Sequence, residues 1–166
     1  AYLRSPDAVG HKFWRWHYLA TSPRFGRWLY GEPDADQEAL APAVSRMDAI
    51  TDAHVGRLLE AAGPDTNVMI VSDHGFTASQ PLRDAPNGEG ETGGHHRSGL
   101  ILLAGPDVRP GVIRGASIYD VFPTVLYLLG LPVPEDVPGR VLAEVISPEI
   151  VATRPLIRSA TPPTIL

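Results

Sequence analysis

The sequence contains no cysteine, so disulfides and thiolate metal sites are excluded, and any metal chemistry falls to nitrogen and oxygen ligands. Lysine occurs once, at Lys12, and the formal net charge is −5. With no basic stripe to offset that charge, a nucleic-acid polymer is not expected as the main partner. No apolar run approaches the length of a membrane span, and no signal peptide is visible. The chain does not open on methionine, and Tyr2-Leu3 reads as the tail of a strand already under way. That reading makes it the later part of a longer protein. What is present is ordinary globular composition, 43% hydrophobic and 20% charged, in 166 residues, enough for one domain with a substantial core. No internal repeat is apparent.

The most informative stretch is Asn67-Val68-Met69-Ile70-Val71-Ser72-Asp73-His74-Gly75-Phe76. It is uncharged and rich in β-branched residues until it stops at an acid, an imidazole and a glycine, as a buried parallel strand would. In open α/β sheets chemistry gathers beyond the carboxyl ends of the strands, where Asp73 and His74 would emerge. Ahead of it, Asp36 to Ala62 carries helical periodicity through Leu40, Val44, Met47, Val55, Leu58 and Leu59, and Gly63-Pro64 ends the helix. Helix, turn and strand make one αβ unit of a doubly wound sheet. Asp48, Asp52 and His54 on that helix read as solvated or capping groups.

Earlier, Ser5-Pro6-Asp7-Ala8-Val9-Gly10-His11 suggests a loop entering a helix from about Ala8. The four-residue spacing then puts Asp7 and His11 on one side, close enough to grip one cation. The alternative is an N-cap aspartate with a surface histidine one turn later. Phe13, Trp14, Trp16 and Tyr18 follow, either as core or as walls of a substrate pocket. Thr21 to Ala35 reads as an irregular connection.

After His74 about twenty residues lack periodicity, passing Pro81, Asp84, Pro86, Asn87, Gly88 and Gly90 before Thr92-Gly93-Gly94-His95-His96. A loop of that length is usually functional or disordered. His95 and His96 read either as exposed loop histidines or as ligands. A second apolar run, Leu100 to Ala104, follows. His95 can lie at most roughly 16 Å from the first residue of that run, and a five-residue strand is itself about 17 Å long. For His95 to meet Asp73, the run must start at the active edge, so it is expected antiparallel to Val68–Ser72. Further on, Val121, Phe122, Val125, Leu128 and Leu129 form a helical apolar face with Gly130 as C-cap, Pro123 in the first turn and Asp120 as cap or first-turn acid. Arg140 to Ile146 reads as a short helix, and residues 148–166 as tail or linker.

Three motifs resemble, in order and spacing, the alkaline phosphatase superfamily, and most closely its type I phosphodiesterase/nucleotide pyrophosphatase branch. They are Pro6-Asp7-Ala8-Val9-Gly10-His11, Ser72-Asp73-His74-Gly75-Phe76, and Thr92-Gly93-Gly94-His95 with Gly99 four residues on. The resemblance covers most of residues 1–147, which are expected to be the C-terminal part of the catalytic domain. It implies a three-layer α/β/α sandwich with a mixed, mostly parallel sheet, incomplete in this chain. It also implies two divalent metal ions, zinc or else manganese, and hydrolysis of small phosphodiester or nucleotide pyrophosphate substrates. By that likeness Asp7, His11 and His95 hold one ion, and Asp73 with His74 contributes to the other. His95 is preferred over His96 because its spacing to Gly99 fits the pattern. No catalytic nucleophile is assigned within the chain; the family's hydroxyl nucleophile is expected upstream of Ala1, so this stretch alone should turn over little. A sulfatase or phosphomutase relative of the same fold, or a non-catalytic metal-binding remnant, is the alternative.

Overall fold

A computed structural model describes residues 1–78 and 92–160. In chain order the elements begin with α1 (Ser5–Thr21), α2 (Pro23–Tyr30), α3 (Gln37–Leu40), α4 (Ala43–Ala62), β1 (Val68–Ser72) and β2 (Gly75–Ala78). They continue with β3 (Gly93–His96), β4 (Leu100–Ala104), α5 (Val121–Leu128), β5 (Val133–Pro134), α6 (Pro148–Thr153) and β6 (Arg158–Ser159). The chain is therefore α/β, with helices and small sheets and no closed barrel among the described residues. It divides into two units, Ala1–Ala61 with His74–Gly99, and Ala62–Asp73 with the residues from Leu100 onward.

In the first unit α1 starts one turn earlier than its spacing suggested, with Pro6 in the first turn, where its missing N–H costs nothing. Arg4 occupies the N-cap position, so Asp7 is a first-turn acid at the positive end of the helix rather than its cap. Ala1 to Arg4, where a strand end was expected, are exposed and form no strand. The expected irregular connection after Thr21 contains α2, which starts at Pro23 and stops at Gly31, φ +82°. Its Gly26 faces Leu19 so closely that a Cβ would sit 2.9 Å from the Leu19 Cα, so close packing of α1 on α2 selects the glycine that hid the helix. The single helix expected from Asp36 to Ala62 is two, α3 and α4, with Pro42 between them. β2 and β3 form an antiparallel ribbon with Phe76 opposite His95 and Gly75 opposite His96. That ribbon occupies both ends of what the sequence presented as one aperiodic loop. Its middle, 79–91, including Pro81, Asp84, Pro86, Asn87, Gly88 and Gly90, lies outside the described residues.

In the second unit β1 pairs antiparallel with β4, from Val68↔Ala104 to Ser72↔Leu100, as the reach argument required. Parallel pairing among the described residues is confined to β5 with β6, two residues each. The core gathers around Leu126, Tyr127, Val133, Leu142, Val145 and Ile146, each contributing about 1.5–3 kcal/mol by leaving water. The face of α5 that builds this core is Pro123, Thr124, Leu126 and Tyr127, whereas Phe122 and Leu129 are 45% and 66% exposed. The helix is apolar nearly all round, so periodicity could not choose its buried side. Hydrogen bonds do: Thr124 Oγ1 accepts from the Leu142 N–H at 3.0 Å, and the Tyr127 hydroxyl donates to the Arg154 carbonyl at 2.8 Å. The helix ends in a Schellman arrangement, Leu131 N–H to Leu126 O and Gly130 N–H to Tyr127 O, with Gly130 at φ +70°. Arg140 to Ile146, expected as a short helix, carries one 3₁₀ turn at Ala143–Val145. Residues 148–160, read as tail or linker from their prolines, carry α6 and the strand β6 that pairs with β5; 161–166 lie outside the described residues.

Candidate metal centre

Asp7 and His11 lie one turn apart on α1, and their side chains converge, with Asp7 Oδ1 3.5 Å from His11 Nε2. β3 brings a third group. His95 Nε2 lies 3.2 Å from the same Asp7 oxygen and 2.9 Å from His11 Nε2. The ribbon reaches α1 through Thr92, which is buried. Its N–H donates to the His11 carbonyl at 2.8 Å and its Oγ1 accepts from the Arg15 N–H at 2.9 Å, so it engages both groups of one helical rung. The Tyr30 hydroxyl of α2 then donates to the Thr92 carbonyl at 2.5 Å. Nothing in the residue type of Thr92 announced this anchoring role; only its place beside the Gly93-Gly94-His95 motif marked it.

His74, just ahead of β2, adds a second imidazole from the ribbon. Its Nε2 is 3.5 Å from Asp7 Oδ1, and its ring stacks on His95 with centroids 3.5 Å apart and planes 17° apart. The likeness assigned His74 to a second ion; the structure puts its Nε2 on the carboxylate shared by His11 and His95. Asp73, expected to accompany it, is the exposed residue that follows β1 in the second unit. His96 is exposed, and its Nδ1 accepts from the Ser98 N–H at 3.2 Å.

The donor chemistry fits a divalent cation. A carbonyl oxygen has no proton to give, so His11 Nδ1 must donate to Gly93 O at 2.9 Å and His74 Nδ1 to Gly75 O at 3.0 Å. Each ring thus presents its Nε2 to the Asp7 carboxylate, at 3.5 Å in both cases, the arrangement by which a carbonyl on Nδ1 orients a ligating histidine. A cation at this point would be met by His11 Nε2, His95 Nε2 and the Asp7 carboxylate together. Donors about 2.0–2.1 Å from a tetrahedral zinc ion lie about 3.3 Å from one another, and the separations among Asp7, His11 and His95 are 2.9, 3.2 and 3.5 Å. The His11 and His74 side chains are only 18% and 21% exposed, against 39% for Asp7 and 49% for His95, so the cluster opens to solvent on the Asp7 and His95 side.

Residues 1–87, just over half of the chain, match the profile of type I phosphodiesterase/nucleotide pyrophosphatase. The chain belongs to that family. This phosphodiesterase-family chain thereby falls in the alkaline phosphatase superfamily, which also contains the cofactor-independent phosphoglycerate mutases. It is similar to curated proteins of that second kind. A 2,3-bisphosphoglycerate-independent phosphoglycerate mutase of Laribacter hongkongensis is 31% identical over 109 residues, covering 63% of this chain and 20% of the relative. The enzyme of the same name from Shewanella frigidimarina is 34% identical over 106 residues, 61% of this chain and 19% of the relative. That of Escherichia coli strain K12 is 28% identical over 105 residues, 63% of this chain and 19% of the relative. The match thus spans about a fifth of the length of these relatives. No solved structure gives a significant match.

Proposed function

We propose that this phosphodiesterase-family chain carries the metal-binding half of a phosphoryl-transfer site acting on small phosphate esters, and that its reaction is hydrolysis of phosphodiester or nucleotide pyrophosphate bonds. The observation that supports this best is the convergence of three imidazole Nε2 atoms on Asp7 Oδ1, within 3.2–3.5 Å, in a chain of this family. In this reading Asp7, His11 and His95 hold one divalent ion, and Asp73 with His74 contributes to a second. Zinc suits the nitrogen-rich set, with manganese the alternative. When bound, such ions supply positive charge that stabilises charge building on phosphoryl oxygens and lowers the pKa of a hydroxyl. The chain's own residues orient and hold: the carbonyls of Gly93 and Gly75 keep the His11 and His74 tautomers, and Thr92 ties the ribbon to α1. In this reading a hydroxyl nucleophile is supplied from upstream of Ala1; the match covers only 20% of the length of the Laribacter relative. The same reading makes residues 1–147 part of a three-layer α/β/α catalytic domain, 148–166 its trailing segment, and a small molecule rather than a nucleic-acid polymer the substrate.

A second reading, phosphomutase, is favoured by the relatives, which carry the name phosphoglycerate mutase. The two are separated in the intact protein by metal analysis together with turnover of bis-p-nitrophenyl phosphate, p-nitrophenyl phosphate, a sulfate ester and 3-phosphoglycerate. Diester cleavage without phosphoglycerate interconversion supports hydrolysis, and the reverse supports the mutase. Within the site, His95→Ala should weaken zinc binding by more than the roughly 100-fold that bounds loss of an outer-shell partner, while His96→Ala leaves it unchanged. Equal losses for the two variants would overturn the assignment of His95.

A further inference from the structure

One aromatic side chain meets all three imidazoles of the cluster. The Phe76 ring lies with its centroid 5.1 Å from His11, 5.9 Å from His74 and 5.8 Å from His95, at interplanar angles of 72°, 61° and 77°. Each is an edge-type packing that fixes the imidazole plane relative to the benzene ring. The placement follows from strand geometry: Phe76 is two residues beyond His74, hence on the same side, and it is the cross-strand partner of His95. The backbone of α1 and the start of β3 are pressed onto the ring as well. A Cβ on Gly10 would lie 2.8 Å from Phe76 Cε1 and Cζ, and one on Gly93 would lie 2.8 Å from Cε1. Trp14 packs on the ring too, with centroids 5.3 Å apart. Gly10 is thus required by the ring itself, whereas Gly93 is required first by the Gly10 carbonyl, 2.5 Å from where its Cβ would lie, and then by the ring.

We propose that Phe76 is a positioning residue of the cation site: its ring locks the planes of His11, His74 and His95 so that their Nε2 atoms already converge on Asp7 before a cation arrives. This rests on the metal reading above and adds a residue that donates nothing to the ion. A side chain with the same volume but no plane fills the space without fixing three ring orientations.

The test is titration of the purified protein with Co²⁺, whose visible bands report coordination geometry, followed by Zn²⁺ competition, for the wild type, Phe76→Leu, Phe76→Met and Gly10→Ala. Far-UV circular dichroism checks folding. The expected result is an affinity lower by about 10–100-fold, as for other groups that orient ligands without touching the metal, together with altered Co²⁺ bands in a folded protein. Gly10→Ala, which pushes on the ring from α1, should change the bands in the same sense. Folded Phe76→Leu with wild-type affinity and spectrum, or with lower affinity and an unchanged spectrum, overturns the positioning role. If that variant does not fold, Phe76→Met decides by the same criteria. A wild type that takes up no Co²⁺ or Zn²⁺ sinks the metal reading itself, and this inference with it.

Discussion

Replacing Asp120 by alanine removes two buried acceptors at once. The side chain is 4% exposed; its Oδ2 accepts from the Ser117 N–H at 2.8 Å, and its Oδ1 from the Arg140 N–H at 2.8 Å. The first bond is half of a capping box at the turn that starts α5, and the second fastens the chain that leads into the Leu142 to Ile146 core. Ser117 and Arg140 are themselves exposed and both bonds are only partly buried, so water can reach the freed N–H groups. At about 0.5–1.5 kcal/mol for each bond, the alanine variant should lose about 1–3 kcal/mol, within which the lost cap accounts for about 0.5–2. Asparagine keeps one carbonyl oxygen and should lose about half as much. Urea unfolding followed by circular dichroism measures this as a lower midpoint at constant slope. A parallel thermal scan should fall by about 2–4 °C for each kcal/mol. A loss below about 1 kcal/mol for Asp120→Ala, or equal losses for alanine and asparagine, would refute the two-bond account.

Acid should weaken the fold partly through Glu144, whose bidentate pair with Arg140, at 2.7 and 2.8 Å, holds its carboxyl down at about 2 from an ordinary 4.5. A depressed carboxylate stabilises above its unfolded pKa and loses that contribution as pH falls from about 4.5 to about 2. The pair is about a third to a half exposed, so the contribution is below about 1 kcal/mol. The stability gap between wild type and Glu144→Gln should therefore be small at about pH 6 and vanish by about pH 2; a gap that widens in acid would contradict it. Gly105 sits at φ +138°, where a Cβ would meet Asn67 Oδ1 at 2.5 Å and Asn67 Cα at 2.6 Å. Gly105→Ala should cost at least the roughly 1–3 kcal/mol of the backbone conformation alone, and an unchanged urea midpoint would argue against it.

Much of the geometry of the candidate site was legible because its signals are local. A four-residue spacing is enough to put Asp7 and His11 on one helical face, and chain reach, taken with the expectation that His95 meets Asp73, pointed to the antiparallel pairing of β4 with β1. The rest was hidden because tertiary contacts chose the residues. β2 and β3 contain glycines where a strand pattern wants branched side chains, since a Cβ on Gly93 would meet the Gly10 carbonyl of α1 and then the Phe76 ring, and one on Gly75 the Ser98 carbonyl. α2 was masked by Pro23 and Gly26, one a good helix start and the other a packing necessity against Leu19. The inward side of α5 was unreadable because its hydrophobicity has no preferred direction, and the choice fell to Thr124 and Tyr127. Phe76 looked like a loop residue for the same reason as its strand did.

Two histidines stand side by side at positions 95 and 96, and main-chain pairing alone decides which of them faces the acid on α1. With Phe76 opposite His95 the ribbon is in frame; sliding it by a single residue would present the neighbouring imidazole instead. Selection between chemically identical candidates is thus delegated to the peptide backbone, and an inserted bulge would exchange the imidazole beside Asp7 without altering a single side chain.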